Sequence, residues 1–386
     1  MPLAIILAGG RGTRLRPFTN HRPKPLMPVA NKAVLDYILD MIELSDVASR
    51  VYLLLDYMGE KLAEYVRGAS RSVEVVPLVF SSIDTADAVR RVRHLIDDDF
   101  IVLMGDIVTN CNLSLFWRFH RRKGGLATVM LKEVDNPCHY GFVLLSRGDR
   151  IVHFMEKPKS YELYVASMTV GARLKRAYAN LANAGIYAFS YELLNVLDDH
   201  PHLLDFGRHV FPFLLEEGYR VYGWVPDSCY WIDIGTPRTY YQANMEVIEG
   251  LASPLRPPGF FNSGIWFNDP KLIEGVVRPP AVIGRGATIE KGAVVGPFAV
   301  VGDRSTVEEG AVVERSVIMD GVAVGPSARV SESVVGSGAE IEGGVRLHRA
   351  LVEDMTAVSG GVNVFDQAVY LRRKEGIPVE LKLGVE

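Results

Sequence analysis

A glycine- and arginine-rich loop follows the first apolar stretch of the chain, and its residue types suit contact with phosphate groups. Residues 7–17 read LAGGRGTRLRP, and a Lys-Pro pair begins at Lys24. Because Gly9, Gly10 and Gly12 carry no Cβ atom, their backbone N–H groups can line a concave anion-binding surface. The basic side chains within reach of such an anion are Arg11, Arg14, Arg16 and Lys24. We predict a triphosphate-binding loop; the alternative is an ordinary turn with solvated arginines.

Two acidic residues are candidates for metal binding. Asp106 follows an apolar stretch at residues 101–104, and Asp233 lies between Ile232 and Ile234. Carboxylates together with phosphate oxygens are ligands that Mg²⁺ prefers, so Asp106 is a candidate metal ligand. The alternative is that Asp106 merely caps the following turn. A carboxylate with apolar neighbours, such as Asp233, is costly to bury unless it is paired or bound to a metal.

A further acid–base pair occurs at Glu156 and Lys157, directly before Pro158. A carboxylate can accept hydrogen bonds from sugar hydroxyls while the neighbouring ammonium holds a phosphate. The alternative is a solvated turn that precedes a proline. The pair therefore indicates a sugar-phosphate site only in combination with the loop at residues 7–17.

Alternating strands and helices are expected to position these residues. Apolar patterning predicts strands at residues 4–7, 51–55, 73–80 and 101–104, with helices at 34–44, 59–66 and 85–96. Such an order favours right-handed βαβ units and a mostly parallel sheet. Ligands of these sheets bind beyond the carboxyl ends of the strands. The glycine-rich loop and Asp106 both follow such ends.

The C-terminal part of the chain has a different periodicity. Aliphatic residues recur every six residues at Ile283, Ile289, Val295, Val301, Val307 and Val313. The period slips near Ile318 and then resumes, which is typical of a hexapeptide-repeat parallel β-helix. We therefore predict an α/β domain with a mostly parallel sheet over residues 1–250, a linker over 251–278, a β-helix over 279–362 and a tail over 363–386. The β-helix is expected to mediate homo-oligomer assembly.

Composition limits the class of protein. The 386 residues are 48% hydrophobic and 23% charged, which fits two or more globular domains, and the net charge of -4 gives no basic field for nucleic acid. Three scattered cysteines argue for a reducing compartment and against a disulfide or zinc framework. No basic leader precedes the first strand, and no apolar run approaches the roughly 18–20 residues of a membrane span. We expect a cytoplasmic protein without membrane contact.

Taken in order, these motifs resemble the sugar-1-phosphate nucleotidyltransferase family, in the form that ends in a left-handed β-helix. The resemblance is carried by the loop at 7–17, Lys24-Pro25, Asp106, Tyr140-Gly141, Glu156-Lys157-Pro158, Asn183-Ala184-Gly185, the 231–235 stretch and the hexapeptides. It implies transfer of a nucleoside monophosphate from an NTP to a sugar-1-phosphate, with release of pyrophosphate.

The resemblance also implies the role of each residue. By this resemblance the nucleotide contacts Leu7, Ala8, Gly9, Gly10, Gly12, Thr13, Asp84 and Thr85. The catalytic cations are Arg14, Lys24 and Lys157, and the sugar contacts Gly141, Glu156 and Asn183. The Mg²⁺ ligands are Asp106 and Asp233. For Asp84 and Thr85, capping of the helix that follows is the competing role.

The nucleotide and the sugar stay open at this point. The family usually has Gly-Thr in the base-contacting loop, whereas residues 83–88 here read IDTADA, and Val79 stands where pyrimidine-using relatives tend to have glutamine. The favoured substrates are GTP and mannose-1-phosphate, which give GDP-mannose. The alternatives are a glucose-1-phosphate uridylyl- or thymidylyltransferase, a non-catalytic regulatory subunit, and a bifunctional enzyme whose β-helix also acetylates an amino sugar. The stretch at 160–181 looks longer than the corresponding family connection, which bears on sugar choice.

Overall fold

The computed structural model describes residues 2–134, 140–156 and 180–370. The chain divides into two compact units. The first unit comprises Met1–Gly10 and Ile38–Trp231, and the second comprises Arg11–Tyr37 and Ile232–Glu386. The second unit thus takes in a stretch close to the N-terminus as well as the C-terminal part.

Thirteen described strands precede residue 234. They are β1 (Leu3–Leu7), β2 (Pro28–Val29), β3 (Lys32–Ala33), β4 (Arg50–Leu55), β5 (Glu74–Val79), β6 (Phe100–Met104), β7 (Ile107–Thr109), β8 (Ala127–Glu133), β9 (Gly141–Leu145), β10 (Ile151–Glu156), β11 (Leu181–Phe189), β12 (Val221–Trp224) and β13 (Trp231–Asp233). The described α-helices are α1 (Val34–Ser45), α2 (Gly59–Arg67), α3 (Thr85–Arg91), α4 (Leu113–Lys123), α5 (Leu193–Asp199), α6 (Phe211–Glu216) and α7 (Pro237–Glu249).

A nine-stranded sheet forms the first unit, and its centre is parallel. Strand β1 pairs in parallel with β4 on one side and β6 on the other, and β5 extends the sheet beyond β4. Strand β11 runs antiparallel to β6 and to β8. The fold class predicted from the sequence, an α/β domain with a mostly parallel sheet, is confirmed. The carboxyl ends of β1, β4 and β6 meet at one edge because the three strands run in the same direction.

Aromatic side chains of β11 pack against aromatic side chains of the segment after residue 205 in the first unit. Phe189 of β11 stacks on Phe206 with ring centroids 5.0 Å apart, and Tyr187 packs edge-on against Phe211 at 5.2 Å. All four side chains are buried. Each such aromatic pair contributes about 0.5–1.5 kcal/mol beyond its area burial, so these rings fix β11 against the helical segment after residue 205.

The second unit contains the β-helix, whose strands form three sheets that are parallel except for β14, which pairs antiparallel with β15. The first sheet holds β14 (Phe260–Asn262), β15 (Ile265–Phe267), β18 (Ala281–Ile283), β21 (Ala299–Val301), β24 (Ser316–Ile318), β27 (Val334–Val335), β30 (Leu351–Val352) and β33 (Ala368–Val369). The second holds β16 (Leu272–Ile273), β19 (Thr288–Ile289), β22 (Thr306–Val307), β25 (Ala323–Val324), β28 (Glu340–Ile341) and β31 (Ala357–Val358). The third holds β17 (Val276–Val277), β20 (Val294–Val295), β23 (Val312–Glu314), β26 (Arg329–Ser331), β29 (Arg346–His348) and β32 (Asn363–Phe365).

The coil length explains the slip of the hexapeptide period. Ile283 pairs with Val301 after a full coil of three hexapeptides, whereas Val301 pairs with Ile318 after a coil one residue shorter. Polar contacts between adjacent coils follow this change, with a separation of 18 residues at Arg285 and 17 residues at Asp303. Strand β15, which begins at Ile265, already pairs in parallel with β18 and lies inside the range 251–278. The sequence did not indicate this coil because it lacks the regular aliphatic pattern. The domain bounds given above stay predictions.

Two of the three cysteines form a disulfide in the first unit, which corrects the expectation drawn from their spacing. Cys111 and Cys229 are 118 residues apart in sequence and their sulfur atoms are 2.14 Å apart. The adjacent residues are also joined, since Tyr230 N–H donates to Asn110 Oδ1 at 2.7 Å. Sequence spacing carries no information on this pairing, because the sheet topology brings the two loops together. The cysteine count therefore gives no support for a reducing compartment.

Helices able to span a membrane do not occur among the residues described.

Candidate active site

The start of the glycine-rich loop sits on the carboxyl edge of the first unit's sheet. Ala8 N–H donates to the carbonyl of Leu54 at 2.9 Å, and Gly105 N–H donates to the carbonyl of Leu7 at 2.8 Å. A Cβ at Gly9 would lie 3.0 Å from the Asp56 Cβ, and one at Gly105 would lie 2.8 Å from the Leu7 carbonyl oxygen. Gly105 is therefore required by the close approach of the Leu7 carbonyl, and a side chain at Gly9 would press on that of Asp56. Asp106, directly after Gly105, lies at the same edge as the loop, as predicted.

The rest of the loop belongs to the second unit and is fixed by a buried threonine. Gly12 has a φ of 60°, the left-handed region that favours glycine. Thr19 is 1% exposed, and its hydroxyl donates to the Gly12 carbonyl at 2.8 Å. Thr13 and Arg14 follow in a short 3₁₀ turn that ends at Leu15. The loop is thus held in one conformation by contacts within the second unit.

Arg14, Lys24 and Asp233 converge in the second unit around Gly235. Lys24 is 7% exposed, and its Nζ donates to Asp233 Oδ1 at 3.1 Å. A Cβ at Gly235 would lie 3.0 Å from both Asp233 carboxylate oxygens and 3.2 Å from Arg14 Nη2. Asp233 is therefore paired with a cation, and pairing or metal binding is what a carboxylate with apolar neighbours requires. The grouping places two basic side chains beside one carboxylate, an arrangement suited to an anionic ligand.

Gly141, Glu156 and Asn183 come together in the first unit. A Cβ at Gly141 would lie 2.8 Å from Glu156 Oε2 and 3.1 Å from the Asn183 Cβ. Gly207 approaches the same carboxylate, since its Cβ would lie 2.7 Å from Glu156 Oε2. The pairing of β11 with β8 shifts in register between Asn183 and Tyr187. The motif residues are therefore brought side by side around one carboxylate that can accept hydroxyl hydrogen bonds.

The same cluster contains residues that the sequence did not single out. Asn183 Nδ2 donates to the Tyr187 hydroxyl at 2.9 Å, and Tyr187 is 4% exposed. Burial raises the pKa of Tyr187, and the negative charges of Glu156, Asp205 and Asp106 raise it further. Tyr187 therefore stays a neutral hydroxyl within this cluster. Asp205 gave no signal in sequence because it belongs to no motif, and Tyr187 reads as an ordinary strand aromatic.

Asp84 and Thr85 are engaged in capping contacts. Asp84 Oδ1 accepts from the Thr85 N–H at 2.9 Å at the start of α3. The Thr85 hydroxyl donates to Asp205 Oδ2 and accepts from the Phe206 N–H, each at 3.0 Å. Burial raises the pKa of Asp84, and the neighbouring charge of Asp205 adds to the shift. The capping role named for Asp84 is present in the structure, and a contact with a base stays a prediction.

Lys157 lies outside the described residues, as does the range 160–179, which contains most of the long connection predicted at 160–181.

The side chains predicted to bind magnesium have the chemistry of ligands for an ion that shares phosphate oxygens with a substrate. Asp106 of the first unit and Asp233 of the second unit each carry hard oxygen atoms of the kind that Mg²⁺ prefers, and Gly235 adds no side chain beside the Asp233 oxygens. The side chain of Asp233 is 21% exposed and therefore open to a ligand. Within the described residues, no group of three or more histidine, cysteine, aspartate or glutamate side chains gathers as an all-protein metal site. Magnesium commonly binds through one or two carboxylates and substrate phosphates, so this donor set suits it.

Comparison with known proteins covers both parts of the chain. The family model described as nucleotidyl transferase matches residues 3–250, and the model described as the GMPPB C-terminal domain matches residues 277–377.

Similar proteins extend over most of the length. A protein of Sulfolobus acidocaldarius carries the provisional name mannose-1-phosphate guanyltransferase. It is 32% identical to this chain over 76% of this chain and 74% of its own length. A mannose-1-phosphate guanylyltransferase of Mycobacterium tuberculosis is 30% identical over 75% of this chain and 77% of its own. A UTP–glucose-1-phosphate uridylyltransferase of Synechocystis is 28% identical over 85% of both chains. With the glycine-rich loop after the first strand and the β-helix in the C-terminal part of the sequence, this chain belongs to the sugar-1-phosphate nucleotidyltransferase family.

Proposed function

We propose that this protein transfers GMP from GTP to mannose-1-phosphate, forming GDP-mannose and pyrophosphate. The observation that supports it most is the grouping of Arg14 and Lys24 with Asp233, with Lys24 Nζ 3.1 Å from Asp233 Oδ1. Two cations that approach one carboxylate can hold a polyphosphate whose negative charge is much larger than that of the carboxylate. The relatives from Sulfolobus and Mycobacterium carry names with mannose-1-phosphate and guanyl transfer, which favours these substrates.

Charge neutralisation explains why the reaction needs this site. The sugar phosphate must approach a triphosphate that is itself strongly negative, and each like-charge pair at about 4 Å costs about 4 kcal/mol at an effective dielectric near 20. Arg14 and Lys24 bind the triphosphate, and Lys157 holds the sugar phosphate. The nucleophilic phosphate oxygen already carries its charge, so no general base is required. It attacks the α-phosphorus in line, the bond to the β-phosphate oxygen breaks, and pyrophosphate leaves with that electron pair.

Asp106 and Asp233 would hold Mg²⁺, which supplies charge stabilisation to the phosphate oxygens when bound. Lys24 keeps the Asp233 carboxylate in place through its 3.1 Å contact. Replacement of Gly235 would put a side chain within 3.0 Å of both carboxylate oxygens and would crowd this position.

The cluster around Glu156 is the proposed sugar site. Its carboxylate accepts hydroxyl hydrogen bonds, while Asn183 is held by Tyr187 at 2.9 Å so that its amide has a fixed orientation. Gly141 and Gly207 leave room beside the carboxylate. Two fixed hydrogen-bonding side chains beside small residues suit a hydroxyl-rich ring more than an apolar ligand.

A uridylyltransferase is the second candidate, because the Synechocystis relative with that name covers the largest share of the chain among the three compared. Assays of pyrophosphate release with GTP, ATP, UTP and dTTP against mannose-1-phosphate and glucose-1-phosphate separate the candidates. The proposal expects the highest kcat/KM for GTP with mannose-1-phosphate. A preference for UTP with glucose-1-phosphate would replace it by the second candidate.

A further inference from the structure

The stretch 11–37, which carries Arg14 and Lys24, is bonded to the β-helix within the second unit. Asn20 Nδ2 donates to Glu353 Oε1 at 2.6 Å, and Arg22 Nη2 donates to Ser337 Oγ at 2.7 Å. Further along, Asn31 Nδ2 donates to the Val301 carbonyl at 2.7 Å. The partners on the β-helix are 270–333 residues away in sequence. The contacts therefore tie the phosphate-loop stretch to three different coils.

Charge matching marks this contact as specific. Glu353 and Asp354 are 6% and 7% exposed although they lie in the connection between β30 and β31. Buried carboxylates are costly unless they have partners. Asp354 Oδ1 accepts the Ser337 N–H at 2.9 Å, and burial raises the pKa of Asp354 while the positive charges of Arg22 and His21 lower it. The coil thus presents buried negative charge to cations of the loop stretch.

The bonded residues are close to the predicted triphosphate contacts in the chain. Thr19, next to Asn20, donates to the Gly12 carbonyl at 2.8 Å. Lys24, two residues after Arg22, pairs with Asp233 at 3.1 Å. A shift of Asn20 or Arg22 would therefore move Gly12 on one side and Lys24 on the other. Misplacement of a positioned group by about 1 Å can cost on the order of a hundredfold in rate.

We propose that Asn20 and Arg22 are positioning residues through which the β-helix sets the affinity of the loop for the nucleotide triphosphate. The coil contributes Ser337 and Glu353 to this link. The inference rests on the proposed function, in which Arg14 and Lys24 bind the triphosphate. It gives the β-helix a role in nucleotide binding in addition to assembly.

Kinetics of full-length variants test this link. Arg22→Ala is expected to raise KM for GTP about tenfold and to leave KM for the sugar phosphate within twofold. Ser337→Ala, made on the coil, should raise KM for GTP in the same direction, and the double variant should be no worse than Arg22→Ala alone. The matched control is Arg349→Ala, which removes an exposed ion pair with Asp366 on the same β-helix. It should leave both KM values unchanged.

Two further measurements separate the possible outcomes. Melting temperatures identify variants that fail to fold; if Arg22→Ala is one, Ser337→Ala and Asn20→Ala take its place. If all folded variants keep the wild-type KM for GTP, or if both substrates are affected equally, the inference is overturned while the proposed function stands. If the wild type releases no pyrophosphate, the proposed function fails, and the dissociation constant of GTP decides the inference. Equal constants for wild type and Ser337→Ala, or no GTP binding, would overturn it.

Discussion

Asp84 shows how one carboxylate at the start of a helix can have two roles. It is the residue before the first turn of α3, and its Oδ1 accepts the adjacent Thr85 N–H at 2.9 Å. Guanine presents two adjacent donors, N1–H and the exocyclic amine, which a carboxylate can accept as a pair, whereas uracil and thymine present one donor between two acceptors. Burial raises the pKa of Asp84, and the neighbouring charge of Asp205 raises it as well.

The substitution Asp84→Asn separates the two roles. Asparagine caps helices about as well as aspartate, so capping alone predicts unchanged stability and unchanged nucleotide preference. A base contact predicts a selective loss with GTP, because a charge-assisted hydrogen bond contributes about 1.5–3 kcal/mol. We expect relative kcat/KM for GTP over UTP to fall by about tenfold or more, from this range. Equal ratios before and after the change would remove Asp84 from base recognition.

The residue types of the site were predictable, but their partners were not. Lys24 and Asp233 were each singled out from sequence, and their ion pair appears only once the chain is folded. Tyr187 and Asp205 lacked any motif, yet they lie in the cluster of Glu156 and Asn183. Local patterns identify groups with the right chemistry, whereas side-chain contacts depend on strands and loops far apart in sequence.

At the scale of elements, α4 is fixed to the sheet by a buried histidine. His120 is 2% exposed, and its Nδ1 lies 2.8 Å from the hydroxyl of Thr128 in β8. Burial lowers the pKa of His120 to about 4. In the unfolded chain its pKa is about 6.5, so the unfolded state binds the proton more readily between these values.

Stability should therefore decline as the pH falls from about 6.5 to about 4, with His120 accounting for about 3 kcal/mol of the loss in unfolding free energy. His120→Gln keeps a side chain that can bond Thr128 but does not titrate, so the variant should lose less stability over this interval. Urea unfolding of both proteins at several pH values measures the difference. Parallel pH profiles would contradict the assignment.

Periodicity predicted the elements well and their irregularities poorly. The six-residue period identified the β-helix, and the slip near Ile318 is the observed change to a shorter coil. The Cys111–Cys229 disulfide was missed, since it joins a loop after β7 to the loop before β13. Repeats are visible in sequence because each coil obeys the same packing rule, whereas a single cross-link obeys no such rule.

At the scale of the whole molecule, the β-helix carries an exposed apolar edge that favours assembly. Phe260 and Phe261 are 60% and 58% exposed, and they lie in β14, the edge strand of the first sheet. An exposed edge strand with large apolar side chains invites pairing with another chain. We therefore propose that the protein is a homo-oligomer joined through the β-helix.

Sedimentation of the full-length protein should show an oligomer, and Phe261→Glu should shift it toward the monomer by placing a charge in the contact. Leu251→Glu, at a residue that is 53% exposed outside the β-helix strands, is the matched control and should sediment like the wild type. A monomeric wild type would contradict the proposal. An oligomer unchanged by Phe261→Glu would move the contact away from β14.

Long-range organisation was the least predictable feature. Sequence order places residues 11–37 between the first strand and the helix of one domain, yet they form a compact unit with Ile232–Glu386. Their bonds to Ser337 and Glu353 join positions more than 300 residues apart. Such contacts follow from how the finished elements pack, and no local pattern of charge or hydropathy encodes them.

Pyrophosphate release by the full-length protein tests the central claim most directly. With GTP, mannose-1-phosphate and Mg²⁺, the wild type should release one pyrophosphate for each GDP-mannose formed. Asp233→Asn should slow release by about a hundredfold or more, in line with loss of one charge-stabilising group. Asp199→Asn, at an exposed position of α5, is the control and should retain the wild-type rate. No pyrophosphate release from the wild type, or a wild-type rate in Asp233→Asn, would contradict the account.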